Sequence, residues 1–380
     1  MKAPIYLDYN ATTPCHQEVV DEMLPFFTQQ FGNAASKNHA FGWLAEEAVE
    51  LSRARVAQLI HAKPKEIIFT SGATESINLG IKGTFYRYQG KQQHYITCVT
   101  EHKAVLDTFS TLELWGAEVT YLPVDQNGRI DLKELESAIK PYTRMISLMW
   151  ANNETGTIHP VEKIYAIAEK YKVIFFTDGV QAVGKIPVNV NFCHLMALSA
   201  HKFYGPKGAG ALYIRHNDLH PKPLPLMDGG NHEKGFRSGT LNVPGIVGMG
   251  KAAAIAAKGL LENQFTMSQL RDYLEQNLLA LGGVYVNGDS SNRLPHVSNL
   301  RFSGVQGEEL LFQVNKFVAC SSGSACTSIT PRASHVLKSM GLTDEEGKSS
   351  IRFSLGWPTS KDDVQMVTNK LKDYLSIRVS

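Results

Sequence analysis

Lys202 lies in the stretch Ser199-Ala-His-Lys-Phe-Tyr-Gly-Pro-Lys-Gly208, just past a short apolar run and just before a turn rich in glycine and proline. A lysine in that position reaches into a cleft at the end of a sheet, where its amine can condense with an aldehyde. Twenty-four residues earlier the apolar run Val173–Thr177 ends in Asp178, a carboxylate at the end of another strand. An imine-forming amine and a carboxylate for a protonated ring nitrogen are the pair that pyridoxal phosphate requires. The alternative for Lys202 alone is a solvated loop charge beside a glycine turn.

A second chemical feature lies far along the chain. Cys326 sits in Ser321-Ser-Gly-Ser-Ala-Cys-Thr-Ser, a run of small polar residues after the strand-like Phe317–Cys320. Structural cysteines favour apolar, packed surroundings, so a thiol on a Ser/Gly loop is a candidate nucleophile, with an inert thiol as the alternative. Cys320, beside Val318 and Ala319, reads as a core residue, and Cys15, Cys98 and Cys193 have no chemical context.

Other segments supply weaker signals. Thr70-Ser-Gly-Ala-Thr-Glu-Ser76 joins a strand to a helix, so its backbone N–H groups can hold a phosphate or the segment can be an ordinary helix cap. His102 follows a strand and is placed either to stack on a flat ring and move protons or to open a surface helix. Asn152-Asn-Glu-Thr-Gly156 is a polar turn whose amides can bind oxygens, and Arg237-Ser-Gly-Thr240 can offer a hydroxyl to a phosphate. Arg352 stands mid-strand among apolar residues and needs a carboxylate partner, either internal or from a substrate.

These residues need a frame. Short β-rich runs (Glu66–Thr70, Tyr95–Thr100, Glu118–Leu122, Met145–Trp150, Val173–Thr177, Leu195–Ser199 and Gly210–Ile214) alternate with helical patterns such as Val161–Tyr171. That alternation predicts an α/β fold, a mostly parallel mixed sheet covered by helices, with ligands beyond the carboxyl ends of the strands. A long helix is expected over 251–280. Beyond it, strand signals at Val297–Phe302 and Ser350–Ser354, with helices near Glu308–Asn315 and Asp362–Leu375, predict a smaller α+β domain. The expected division is 16–260 as the large domain, with 1–15 folding back onto 261–380 as the small one. At 380 residues and 43% hydrophobic composition, the chain has enough material for two cores. Lys plus Arg number 38 against 36 Asp plus Glu, a balance that gives no argument for nucleic acid or an anionic membrane. No apolar run has the length of a membrane span and no signal-peptide core is visible. Five scattered cysteines without a Cys-x-x-Cys pair argue against a disulfide framework or a metal site and for a reducing, cytoplasmic location.

Taken in order, these segments resemble the cysteine desulfurases of the NifS/IscS type. The likeness runs from Tyr6-Leu-Asp-Tyr-Asn-Ala-Thr-Thr-Pro14, through Phe31-Gly-Asn33, Thr70–Ser76, Thr100–Asp107, Asn152-Asn-Glu154, the lysine segment and Arg237–Thr240, to the cysteine segment and Ile351-Arg-Phe-Ser-Leu-Gly356. The spelling around Cys326 is that of the branch with a long catalytic loop, here about 321–331. The resemblance implies a homodimeric fold-type-I enzyme that uses pyridoxal phosphate to turn L-cysteine into L-alanine, leaving the sulfur as a persulfide on Cys326. It implies that Lys202 is the Schiff-base lysine and that Asp178 pairs with the pyridinium. Gln181 would contact the phenolic oxygen and His102 would stack on the ring. Ala73, Thr74, Ser199, Ala200 and His201 would hold the phosphate end, with Thr240 from the second subunit. Asn153 would touch cofactor and substrate, and Asn33 and Arg352 the substrate carboxylate. The sulfur would pass to an iron–sulfur scaffold protein or another acceptor, for cluster assembly or for thiolation of tRNA or cofactors. Two spellings depart from the family's: Asp178-Gly-Val-Gln181 where Ala often follows the Asp, and Ala34 where Pro often follows the Asn. Longer relatives also carry a tail beyond the position of Ser380 that helps dock the scaffold, which puts that partner in question. The rival readings are a selenocysteine lyase or cysteine-sulfinate-type β-lyase, and a sulfur-relay or scaffold-binding protein without catalysis.

Overall fold

The computed structural model describes residues 4–216, 219–305, 307–322 and 333–379. Cys326 lies outside the described residues. The centre is a seven-stranded sheet in the order Ile67–Thr70, Gly210–Ile214, Leu195–Ser199, Ile174–Asp178, Thr143–Ser147, His94–Cys98 and Glu118–Leu122. Gly210–Ile214 is antiparallel to both of its neighbours, and the other four pairings are parallel. Six strands therefore end at one edge of the sheet. There the register sets Thr70 opposite Gly210, Gly210 opposite Ser199, and Asp178 opposite Ala197.

The strands are apolar because helices cover both faces, and their side chains alternate accordingly. Ile67, Phe69, Phe175, Met196 and Leu198 enter one hydrophobic cluster, while Ile68, Ile174, Phe176, Leu195 and Ala197 enter the cluster on the other side. Helices Ala73–Arg87 and Lys103–Leu114 contribute Ile77, Ile81, Phe85, Val105 and Phe109 to the second cluster; Ala40–Leu59 and Val161–Tyr171 contribute Val49, Val56, Val161 and Ile164 to the first.

The long helix begins earlier than the sequence pattern suggests, at Val243, and runs to Leu279. Asn242 caps it by accepting from Gly245 N–H, with Pro244 in its first turn, a start signal that lies before the expected 251–280 stretch. Its first half packs Ile246, Met249 and Ala253 into the large-sheet cluster. Its second half gives Leu270, Leu274 and Leu278 to a separate cluster with Leu300, Phe302, Ile351 and Phe353. That second cluster covers a four-stranded antiparallel sheet, Ser321–Ser322, Ser350–Ser354, Val297–Phe302 and Val284–Val286. Near the N-terminus, Ile5–Tyr6 runs parallel to Val318–Ala319. After Asp8 the chain crosses to the large sheet, where Thr13 N–H donates to the His201 carbonyl at 3.0 Å. Among the described residues no helix is long and apolar enough to cross a membrane.

Candidate active site

A cavity of about 720 Å³ opens at the carboxyl edge of the large sheet, closed on one side by the N-terminal crossing and on another by Ser321, Ser322 and Arg352. Lys202 comes from the turn immediately after Leu195–Ser199. Its Nζ donates to the carbonyls of Asn10 and Ala11 at 2.5 and 2.8 Å. Burial, then the positive charge of Arg352, lowers its pKa to about 8, against the opposing pull of Asp178 and Asp8. Asp178 is the last residue of the adjacent strand and is buried, with Oδ1 accepting from Val180 N–H at 2.9 Å. Burial raises its pKa, while His102 and Lys202 draw it down.

The remaining residues enter from neighbouring strand ends. His102 is four residues beyond Cys98 and caps the next helix, its Nδ1 accepting from Ala104 N–H at 3.1 Å. Gln181 Nε2 donates to the Asn10 carbonyl at 3.1 Å, and its Oε1 is buried with no hydrogen-bond partner. Gly72 gives helix Ala73–Arg87 no side-chain cap, which leaves N–H groups of its first turn without a capping acceptor, and Gly72, Ala73 and Thr74 line the cavity. Ser199 and His201 close the same corner. His201 Nδ1 bonds Thr12 Oγ1 at 3.0 Å, and burial, with Lys202 and Lys207 nearby, brings the ring to a pKa of about 4, so it is neutral at pH 7. Ala200 is buried beneath the corner. Asn153 lines the cavity, and its carbonyl accepts from Asn10 Nδ2 and from Arg352 NH1, both at 2.9 Å.

Two of the sequence-predicted residues stand elsewhere. Asn33 is exposed before helix Ala40–Leu59, its Oδ1 accepting from Ala35 N–H at 2.9 Å, and it does not line this cavity. Thr240 is exposed and likewise outside it, on a stretch tied to the start of helix Ala73–Arg87 by the Arg237–Glu75 ion pair at 2.8 Å. Conversely, the sequence reading assigned no role to Asp8, Asn10, Lys207 or Glu154, all of which line the cavity. Asp8 answers the need of Arg352 for a carboxylate, at 2.6 Å, while Arg352 Nε stays buried and unpartnered. The polar spelling of Asp8 and Asn10, right after a strand-like start, was the available signal. Cys320, read as a core residue, packs half-buried against the small-sheet cluster, and Cys98 and Cys193 are buried; burial pushes all three thiols up to about 12, outside the reactive range.

The donor set fits a phosphorylated, aldehyde-bearing aromatic ring. Lys202 offers the amine, Asp178 a buried carboxylate, Gln181 an orphaned oxygen and the uncapped helix start an anion site.

The Aminotransferase class-V family matches residues 5–367, and the chain belongs to that family. It is 51% identical over 367 residues to a cysteine desulfurase IscS of Anaeromyxobacter dehalogenans (strain 2CP-C), covering 96% of this chain and 90% of that protein. It is 49% identical over 377 residues to a cysteine desulfurase IscS of Neisseria meningitidis serogroup C (strain FAM18), covering 99% and 93%. The solved structure of a NifS-like protein superposes with a TM-score of 0.92 at 36% identity, covering 98% of this chain and all of that one.

Proposed function

We propose that this protein is a cysteine desulfurase that supplies sulfur for iron–sulfur cluster assembly. The carrying observation is that an amine of lowered basicity and a buried carboxylate, from adjacent strand ends, face one cavity with Arg352 and with Ser321–Ser322, the start of the cysteine-bearing segment. The near-50% identity to cysteine desulfurases over almost the whole chain supports the same reading.

Pyridoxal phosphate, when bound, supplies the electron sink that labilises the bonds of an amino acid's α and β carbons. Lys202, Asp178, Gln181, Thr74, Ala73, Ser199, Ala200, His201, His102 and Asn153 would hold it. The neutral His201 ring can donate to or accept from a phosphate without adding a charge of its own. With its lowered pKa, Lys202 can both take a proton and return it near neutral pH. Arg352 would take the substrate carboxylate, in exchange with or alongside Asp8. The thiolate of Cys326 then bonds to the substrate sulfur as the substrate's carbon–sulfur bond breaks. The electron pair stays on carbon, which takes up a proton to give L-alanine, and the sulfur stays on Cys326 as a persulfide.

The division into residues 16–260 and 1–15 with 261–380 belongs to this reading, and the separate hydrophobic cluster around Leu300 and Phe353 supports it. A homodimer also belongs to it. Phe27, Phe31, Phe41, Trp43 and Leu44 are large apolar side chains exposed on the N-terminal helices and loops, and Thr240 is free to reach a partner's site. The sulfur acceptor in this reading is an iron–sulfur scaffold protein, with tRNA or cofactor thiolation as further destinations. Cys326→Ala tests the core of the proposal: alanine formation from L-cysteine should be abolished and that from selenocysteine spared. Full activity on L-cysteine would point instead to a β-lyase.

A further inference from the structure

Asn10, whose carbonyl accepts from both Lys202 Nζ and Gln181 Nε2, is buried, and each of its other polar groups has one partner. Its N–H donates to Ser354 Oγ at 2.9 Å, its Nδ2 donates to the Asn153 carbonyl at 2.9 Å, and its Oδ1 meets His296 Nε2 at 2.8 Å. A carbonyl only accepts, so Asn153 fixes the amide: Nδ2 turns to Asn153 and Oδ1 to His296. Oδ1 only accepts as well, so the hydrogen of that contact belongs to His296 Nε2. Burial, then the charges of Lys185, Arg271 and Arg352, holds the His296 pKa well below its usual value, so the ring is neutral at pH 7. A neutral ring with its hydrogen on Nε2 has a bare Nδ1, and that nitrogen is buried with no hydrogen-bond partner.

Lys185 is the complementary orphan. It ends the turn that follows Asp178, where Val183 N–H donates to the Gly179 carbonyl and Lys185 N–H to that of Ala182, both at 3.0 Å. Asp178 and Gln181 line the large cavity, and Lys185 lies past it with its Nζ buried and unpartnered. Lys185 and His296 together line a second, small cavity of about 20 Å³. Tyr204 and Trp357, whose rings stack at 3.8 Å, and Asn263 and Gln264 of the long helix complete its wall. The space admits about one water. Burial, then the Lys202 and Arg352 charges, brings the Lys185 pKa to about 7, and either form of the amine has a hydrogen to give. Leaving both nitrogens unpaired in the interior would be costly. The donors therefore run one way: Lys185 to His296, directly or through one water, His296 to Asn10, and Asn10 to Asn153. Ser354 and Asn153 hold the two donors of Asn10, but among the described residues His296 alone serves its side-chain oxygen.

We infer that Lys185 and His296 are positioning residues for Lys202: Lys185 supplies the hydrogen that keeps His296 in its Nε2–H form, and His296 holds Asn10 so that the Asn10 carbonyl receives the Lys202 amine. This deepens the desulfurase reading and rests on Lys202 being the amine that takes the cofactor. The first test uses the cofactor-free protein with nitrogen-labelled histidine. NMR at pH 7 should show His296, identified by its loss in His296→Gln, with a bare Nδ1 and a protonated Nε2. Lys185→Met should shift that Nδ1 signal, because its donor is gone. The second test follows capture of pyridoxal phosphate by the cofactor-free protein, read by absorbance, with borohydride trapping and mass spectrometry to locate the amine used. Lys185→Met and His296→Ala should each slow capture at Lys202 by about five- to tenfold. His296→Gln, whose amide N–H can still serve Asn10, should stay within about twofold of wild type. In that background Lys185→Met should change the rate no further, since Lys185 then has no ring to act through. A wild-type His296 with its hydrogen on Nδ1, or doubly protonated, would overturn the inference. So would an Nδ1 signal unmoved by Lys185→Met, equal slowing by Lys185→Met with and without His296→Gln, or a Gln variant as slow as the Ala variant. If His296→Ala does not fold, the tautomer and the double variant still decide. If trapping of the wild-type protein finds the cofactor on another lysine, the underlying reading fails instead, whatever the His296 variants do.

Discussion

The lowered basicity of Lys202 is open to direct measurement. With a pKa of about 8, about a tenth of its amine is unprotonated at pH 7, against about 0.03% for a lysine at 10.5, a ratio of about 300. The first cause is burial under the N-terminal crossing and the second is the Arg352 charge. In cofactor-free protein, trace acetylation by a non-titrating anhydride, quantified per lysine by mass spectrometry across pH 6 to 11, reports the neutral amine alone. Lys202 labelling should rise tenfold per pH unit up to about 8 and then level, whereas solvated lysines keep rising to about 10.4. Arg352→Gln should move the midpoint upward, since it removes the second cause. The linkage has a definite sign. The folded pKa lies below the unfolded one, so the folded chain binds fewer protons between them, and the contribution of Lys202 to stability improves as pH rises from about 8 to 10.5. A wild-type midpoint at or above 10 would refute the argument, because burial and Arg352 would then be exerting no effect.

Other expectations follow from single contacts. Asp178→Asn should weaken cofactor retention by about 10- to 100-fold, the worth of a charge-assisted bond, yet leave the cofactor-free protein no less heat-stable, because burial already disfavours that carboxylate; equilibrium dialysis and thermal melts separate the two. Gly210→Ala would set its Cβ 2.5 Å from Gly72 Cα and 2.7 Å from the Leu198 carbonyl oxygen, both backbone atoms, so the start of helix Ala73–Arg87 must shift and phosphate affinity should drop while far-UV circular dichroism stays the same. The buried pair Arg53–Glu233, 2.7 Å apart, also takes in Phe69 N–H; Arg53→Met strands the Glu233 carboxylate and should cost about 3–5 kcal/mol in denaturant melts.

The alternation of apolar strands and helical patterns, the lysine and aspartate at two strand ends, and the small-residue turn at Thr70–Ser76 were all local, and each fell at the carboxyl edge where a mostly parallel sheet puts its ligands. Strand ends were less legible: Thr143–Ser147 and His94–Cys98 stop short of the apolar runs, because Met149 and Trp150 are buried, and Val99 half-buried, in loops rather than in the ladder. The sequence by itself determined which chemistry is available, since amine, carboxylate and thiol are properties of single residues in their local setting. Only the tertiary structure decided who partners whom. Asp8 meets Arg352 across 344 residues and Ser334 meets Glu154 across 180, and Asn10 threads its carbonyl onto Lys202. Asn33 and Thr240 stand away from the cavity of their own chain. Such long-range pairings leave no periodic trace in the chain, because they depend on where a strand crossing ends and not on the residues beside it.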